Sequence, residues 1–75
     1  MTILDSKTKL QEYSLKKYKK LPVYKLLGFK GPRHEPIFKI SVSFNNSKVF
    51  IGLGSSKKLA EQNAAGSLLK YFDIK

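Results

Sequence analysis

Gly54-Ser55-Ser56-Lys57-Lys58 carries the clearest chemistry in this sequence. A helix that starts there offers free backbone N–H groups and the positive end of its dipole, and both attract an anion. Two lysines in the first turn oppose that dipole unless something negative sits with them. A phosphate would, since it accepts the N–H groups and pairs the ammonium groups at once. The alternative is a solvated basic helix start that binds nothing.

Two further groups have chemistry of a different kind. Gly31-Pro32-Arg33-His34-Glu35-Pro36 presents Arg33 and His34 at the tip of a loop that its prolines stiffen. A stiff loop loses less entropy on entering a groove, and His34 or a backbone carbonyl can bond a 2′-hydroxyl. Read without a ligand, it is an ordinary surface turn. Upstream, Thr8, Gln11, Glu12 and Leu15 share one side of a helix at about 100° per residue. The set is mostly uncharged and both donates and accepts hydrogen bonds. Glu12 is out of place against phosphate alone, yet it accepts a bond from a sugar hydroxyl or a guanine amino group. Without a ligand this set is a solvated helix face.

The other residue types speak against catalysis. Asp5, Glu12, Glu35, Glu61 and Asp73 are scattered, and no pair is spaced to converge as two-metal nucleases or glycosidases require. His34 is the only histidine and has no evident orienting acid, so it is a poor general base. Gly52-x-Gly54 lacks a third glycine and no Gly-Lys-Ser/Thr follows, which disfavours a mononucleotide site. With no Cys and one His, neither a disulfide framework nor a catalytic zinc site is possible. No metal, no cofactor and no catalytic residue is expected in this chain.

Fifteen Lys or Arg against five Asp or Glu give a formal charge of +10. On a surface this small the field has one sign, and its partners are polyanions such as nucleic acid or an anionic membrane face. A hydrophobic share of 41% with 12% aromatics places that charge on a folded domain, not on a disordered tail. A chain of 75 residues makes one domain. At that size it buries only about 60% of its unfolded surface and cannot also enclose a deep cavity, so no small-molecule substrate is expected. No run approaches the ~18 apolar residues of a membrane span, and no signal peptide opens the chain. A soluble protein with the cytosol as its default compartment follows as the expectation.

These groups need elements to position them. Residues 5–20 contain no Gly or Pro and consist mostly of good helix formers, with Asp5 or Ser6 as N-cap and Pro22 barring continuation beyond Leu21. Leu10, Tyr13, Ser14 and Lys17 share the side opposite the polar set. Three extended runs follow. The first is 23–30; the second, 37–44, puts Phe38, Ile40, Val42 and Phe44 on one face and Lys39, Ser41 and Ser43 on the other. Asn45-Asn46-Ser47 reads as a turn into a third strand opening on Val49-Phe50-Ile51, and Gly52 to Ser56 as the end of the sheet. A second helix is expected over 57–72, capped by Ser55 or Ser56, with Ala60, Ala64, Ala65, Leu68, Leu69 and Phe72 as its apolar stripe. Phe38, Phe44 and Phe72 fall on core-facing positions, which disfavours stacking on single-stranded bases. The fold class is α+β: an α-β-β-β-α two-layer sandwich with both helices on one face of a three-stranded antiparallel sheet.

Taken in order, Lys7-Thr8-x-Leu10-Gln11-Glu12, Leu21-Pro22-x-Tyr24, Gly31-Pro32-x-His34-x-Pro36-x-Phe38 and Gly52-x-Gly54-Ser55-Ser56-Lys57-Lys58-x-Ala60-Glu61-Gln62-x-Ala64-Ala65 resemble the double-stranded RNA-binding domain. The resemblance covers 5–72, within a domain drawn at 5–73 with 1–4 and 74–75 as flanks. The opening motif and the second helix are similar to the version that ends bacterial ribonuclease III. This implies an RNA duplex as partner, met along one face by three contacts. Thr8, Gln11 and Glu12 enter one minor groove, Pro32, Arg33 and His34 enter the next, and Ser56, Lys57 and Lys58 grip phosphates across the intervening major groove. A-form geometry fits that division, because its major groove is too narrow to read while its minor groove exposes 2′-hydroxyls.

The resemblance also implies that cutting belongs to a separate, magnesium-dependent domain, absent from this chain, through which the full-length protein forms a homodimer. Leu15 stands where the ribonuclease III pattern often has a second polar reader, which implies a weaker or shorter first-helix contact. Glu61 replaces a lysine found in many other such domains. Two other readings stay open: a stand-alone RNA-binding or protein-interaction and dimerisation module, and an enzyme in its own right.

Overall fold

Polar and apolar residues alternate strictly in the middle of the chain, and that alternation builds the layer on which everything else rests. A computed structural model describes residues 5–44 and 48–74. Strands β1 (Val23–Lys30), β2 (Ile37–Ser43) and β3 (Phe50–Gly54) form an antiparallel sheet in the order β1-β2-β3. Helix α1 (Ser6–Tyr18) precedes the sheet and α2 (Lys57–Tyr71) follows it. The expected α-β-β-β-α sandwich is therefore the observed one. The expected turn at Asn45-Asn46-Ser47 lies outside the described residues.

The register pairs Tyr24 with Val42 and Val42 with Phe50, so these side chains share the covered face, joined by Ile40 opposite Gly52. Leu10 from α1 and Ala64, Ala65 and Leu68 from α2 complete the core with Val42, Phe44 and Phe50. Helix α2 packs directly on β2 and β3, while α1 lies alongside α2. The other face carries Lys25, Lys39 and Ser41. Ser41 is buried all the same, because on the central strand it sits between Lys25 and Ile51.

Boundaries differ from the sequence reading at four places, each for a local reason. Helix α1 ends at Tyr18, not at Lys20, because Lys19 takes the left-handed conformation (φ 60°) and its N–H bonds the Leu15 carbonyl at 3.0 Å. The buried Ser14 hydroxyl then donates to the Lys20 carbonyl at 2.5 Å, stopping the helix before Pro22 can. Strand β2 stops one residue short of Phe44. Strand β3 starts at Phe50 and runs through Gly54, so Gly52 lies within the sheet and Gly54 is the strand's last residue. Helix α2 ends at Tyr71 with Phe72 as its C-cap, and Phe72 is 44% exposed. It lies where the core runs out, its ring 5.9 Å from both Phe44 and Phe50.

Gly52-x-Gly54 has a packing role. A Cβ on Gly52 would collide with the Ala64 nitrogen and the Ala60 carbonyl oxygen, and one on Gly54 would lie 2.5 Å from the Ala60 nitrogen. Bare glycine on the strand and alanine on the helix thus bring the two backbones together. This close approach sets where the first turn of α2 emerges.

Candidate nucleic-acid interface

The first turn of α2 follows β3 after only Ser55 and Ser56. Ser56 is the N-cap: its hydroxyl oxygen accepts the Leu59 N–H at 3.1 Å and its carbonyl accepts the Ala60 N–H at 2.9 Å. The hydroxyl keeps its own proton free for an acceptor outside. Ser56, Lys57 and Lys58 are all exposed, and no acid shares their turn. The positive end of the helix dipole and two ammonium groups therefore face solvent together.

The β1–β2 loop lies at the same end of the sheet. Phe38, near the start of β2, pairs with Gly54, the last residue of β3, so residues 31–36 and the start of α2 leave the sheet from one edge. The Glu35 N–H bonds the Pro32 carbonyl at 2.9 Å, closing a turn with Arg33 and His34 at its two central positions. Gly31 makes that turn possible: its φ is 98°, and a Cβ there would lie 2.6 Å from the Glu35 carbonyl oxygen. Pro32, Arg33 and His34 are exposed.

Helix α1 is attached on the other side of α2 by polar contacts that sequence reading did not find. Asp5 caps α1, its Oδ1 accepting the Thr8 N–H at 3.1 Å and a bond from Gln62 Nε2. Gln62 Oε1 in turn accepts the Lys7 N–H at 3.1 Å. Lys7 Nζ pairs with Glu61 Oε1 at 2.7 Å and lies 5.4 Å from the centre of the Tyr24 ring. The bond from Gln62, and after it that from Thr8, holds the Asp5 carboxyl below its ordinary range. Glu61, which the sequence shows as one of five scattered acids in place of a lysine, is thus half of an ion pair between the helices.

With the first turn fixed, α1 turns Leu10 and Ser14 inward and leaves Thr8, Gln11, Glu12 and Leu15 exposed. Lys9 and Lys16 line a shallow cleft with Glu12, so that carboxylate stands among cations. The nine residues singled out from the sequence therefore lie in three exposed groups, with the start of α2 joined to α1 through Gln62 and to the loop through the Phe38–Gly54 pair. Of the aromatic residues, Phe44 is buried and Phe38 half-buried against Phe29, with ring centres 5.5 Å apart. Phe72 is the exception described above.

A helix-on-sheet sandwich that exposes a basic helix start, a stiff loop beside it and a polar face on the adjoining helix is the architecture of a small nucleic-acid-binding module. Residues 6–71 match the family model described as the double-stranded RNA binding motif, and the chain belongs to that family. Within it, the chain resembles the domain carried by ribonuclease III enzymes. It is 57% identical over 70 residues to ribonuclease 3 of Pelagibacter ubique, covering 93% of this chain and 32% of the relative. With ribonuclease 3 of Anaplasma marginale it shares 47% over 66 residues, 88% of this chain and 28% of the relative. The chain thus spans about a third of the length of these relatives. Among solved structures, the solution structure of DRB4 dsRBD2 superposes with a TM-score of 0.65 at 35% identity, covering 96% of this chain and all of that one.

Proposed function

We propose that this domain binds double-stranded RNA by shape, as the substrate-holding part of a ribonuclease III-type endoribonuclease. Thr8, Gln11 and Glu12 read 2′-hydroxyls and base edges in one minor groove. Pro32, Arg33 and His34 enter the next minor groove, and Ser56, Lys57 and Lys58 hold the phosphates that cross between them. The observation that carries this reading is the position of the anion-attracting helix start between the other two groups: it leaves the same end of the sheet as the β1–β2 loop, and α2 holds the first turn of α1 through Gln62. Family membership supports the class of ligand. The remaining positive charge steers the approach to the duplex.

Cutting is assigned to a separate, magnesium-dependent domain that also pairs two copies of the full-length protein, in the cytoplasm. Among the described residues no three His, Cys, Asp or Glu side chains come together as metal ligands. Amide shift mapping with a duplex RNA of about 16 base pairs tests the reading. Perturbations are expected at residues 8–12, 32–34 and 56–58. Perturbations confined to the opposite sheet face, at Lys25, Ser41 and Ile51, would overturn it.

A further inference from the structure

We propose that Gln62 is the positioning residue that sets RNA-over-DNA discrimination, by fixing the reading helix α1 relative to the phosphate grip on α2. The proposal rests on the assignment of duplex RNA as ligand. Only Leu10 and Ser14 of the thirteen residues of α1 are buried, so apolar packing constrains this helix weakly. Its C-terminal half is held by rings, with Tyr13 and Tyr18 5.8 and 5.0 Å from Phe44. Its N-terminal half, which carries Thr8, Gln11 and Glu12, has Leu10 as its one core anchor and is otherwise held to α2 by polar contacts.

Gln62 makes two of these contacts with one amide. Its oxygen accepts a first-turn N–H of α1, from Lys7, and its nitrogen holds the Asp5 carboxylate that caps the same turn. Neither a carboxylate nor an ammonium group could do both, since one contact needs an acceptor and the other a donor. Lys7 is also braced by Glu61 and the Tyr24 ring. Gln62 lies four residues beyond Lys58, about 6 Å along the helix axis, so it couples the two RNA-contacting elements over a short rigid span. Hydrogen bonds to 2′-hydroxyls tolerate only a few tenths of an ångström in length. Loose phosphate contacts made by flexible lysines do not need that precision. Release of the clamp should therefore cost groove reading and spare phosphate binding.

The test compares Gln62→Leu, which keeps the side chain's bulk, with Gln62→Glu and with the Asp5→Asn, Gln62→Glu double variant. In the double variant the amide and the carboxylate exchange places, so the bridge is rebuilt with reversed polarity while Asn still caps the helix. Affinity for an RNA duplex and for a DNA duplex of the same sequence is measured over a range of salt, alongside thermal melting. Gln62→Leu is expected to lose about tenfold in RNA affinity with DNA affinity and the salt slope unchanged, and Gln62→Glu, which also adds a negative charge, to lose clearly more for RNA than for DNA. The double variant is expected to recover the RNA preference.

Three outcomes overturn the proposal. The first is wild-type discrimination in Gln62→Leu; the second is an equal loss for RNA and DNA; the third is failure of the double variant to recover although its melting temperature does. A wild-type domain with no RNA preference would instead refute the ligand assignment, and is seen before any variant is made.

Discussion

Replacing Lys57 and Lys58 together with alanine should move binding and folding in opposite directions. In the complex each ammonium group neutralises one phosphate, and each phosphate contact contributes about 0.9 to the slope of log affinity against log salt. The double variant should therefore show a slope shallower by about two. Between about 50 and 200 mM salt its deficit against wild type should shrink by roughly tenfold, since a fourfold rise in salt acts on a slope difference near 1.8. In the free protein the same lysines stand at the positive end of α2 with no acid in the turn. Their removal relieves that repulsion, on the order of a few tenths of a kcal/mol each, so melting should be unchanged or slightly raised. Anisotropy of a labelled RNA duplex at several salt concentrations gives the slope, and thermal melting without RNA gives the stability. An unchanged slope would refute the phosphate assignment. A shallower slope accompanied by a collapse in melting temperature would show that the lysines act through the fold.

Gly52→Ala should cost about 1–3 kcal/mol in urea unfolding, because the new methyl meets backbone atoms of Ala60 and Ala64 that cannot rotate away. A wild-type midpoint would show that α2 does not lie that close to β3. The Tyr24 hydroxyl is buried without a hydrogen-bond partner among the described residues, and burial, then the charges of Glu61 and Asp5, push its pKa up to about 12. An unfolded tyrosine titrates near about 10, so the stability that depends on the neutral phenol is complete below that pH and lost as the pH rises through about 12. Tyr24→Phe should be neutral or stabilising by up to ~1 kcal/mol at pH 7 and should flatten the loss of stability above pH ~10. A large destabilisation at neutral pH would mean the hydroxyl has a partner.

Local patterns made most of the fold legible. The period of two in β2, the Pro and Gly residues that punctuate β1, and the small stripe on α2 each act within a few residues, and these elements lie where the spacing puts them. Lys19 was not legible, since the left-handed turn there depends on how Ser14 meets the chain after the helix. Gly52-x-Gly54 is too short for a phosphate loop, and its counterpart is the run of alanines on α2. Small residues on two elements that must touch are a signal of close backbone approach, and that signal was available. The three proposed contact groups stand out by local chemistry, and their placement along an RNA duplex comes from the family resemblance. Their attachment was not visible: the Lys7–Gln62 bond joins residues 55 positions apart, and an amide on a helix surface looks like any solvated side chain until its neighbours are placed.

The proposal that the three groups read an A-form duplex through its 2′-hydroxyls is tested most directly by competition at fixed salt. A labelled RNA duplex bound to the domain is challenged with unlabelled RNA duplex, DNA duplex of the same sequence, and either single strand. The RNA duplex should displace the label at far lower concentration than the other competitors. Equal displacement by the DNA duplex would contradict the account, because it would leave only charge as the basis of binding.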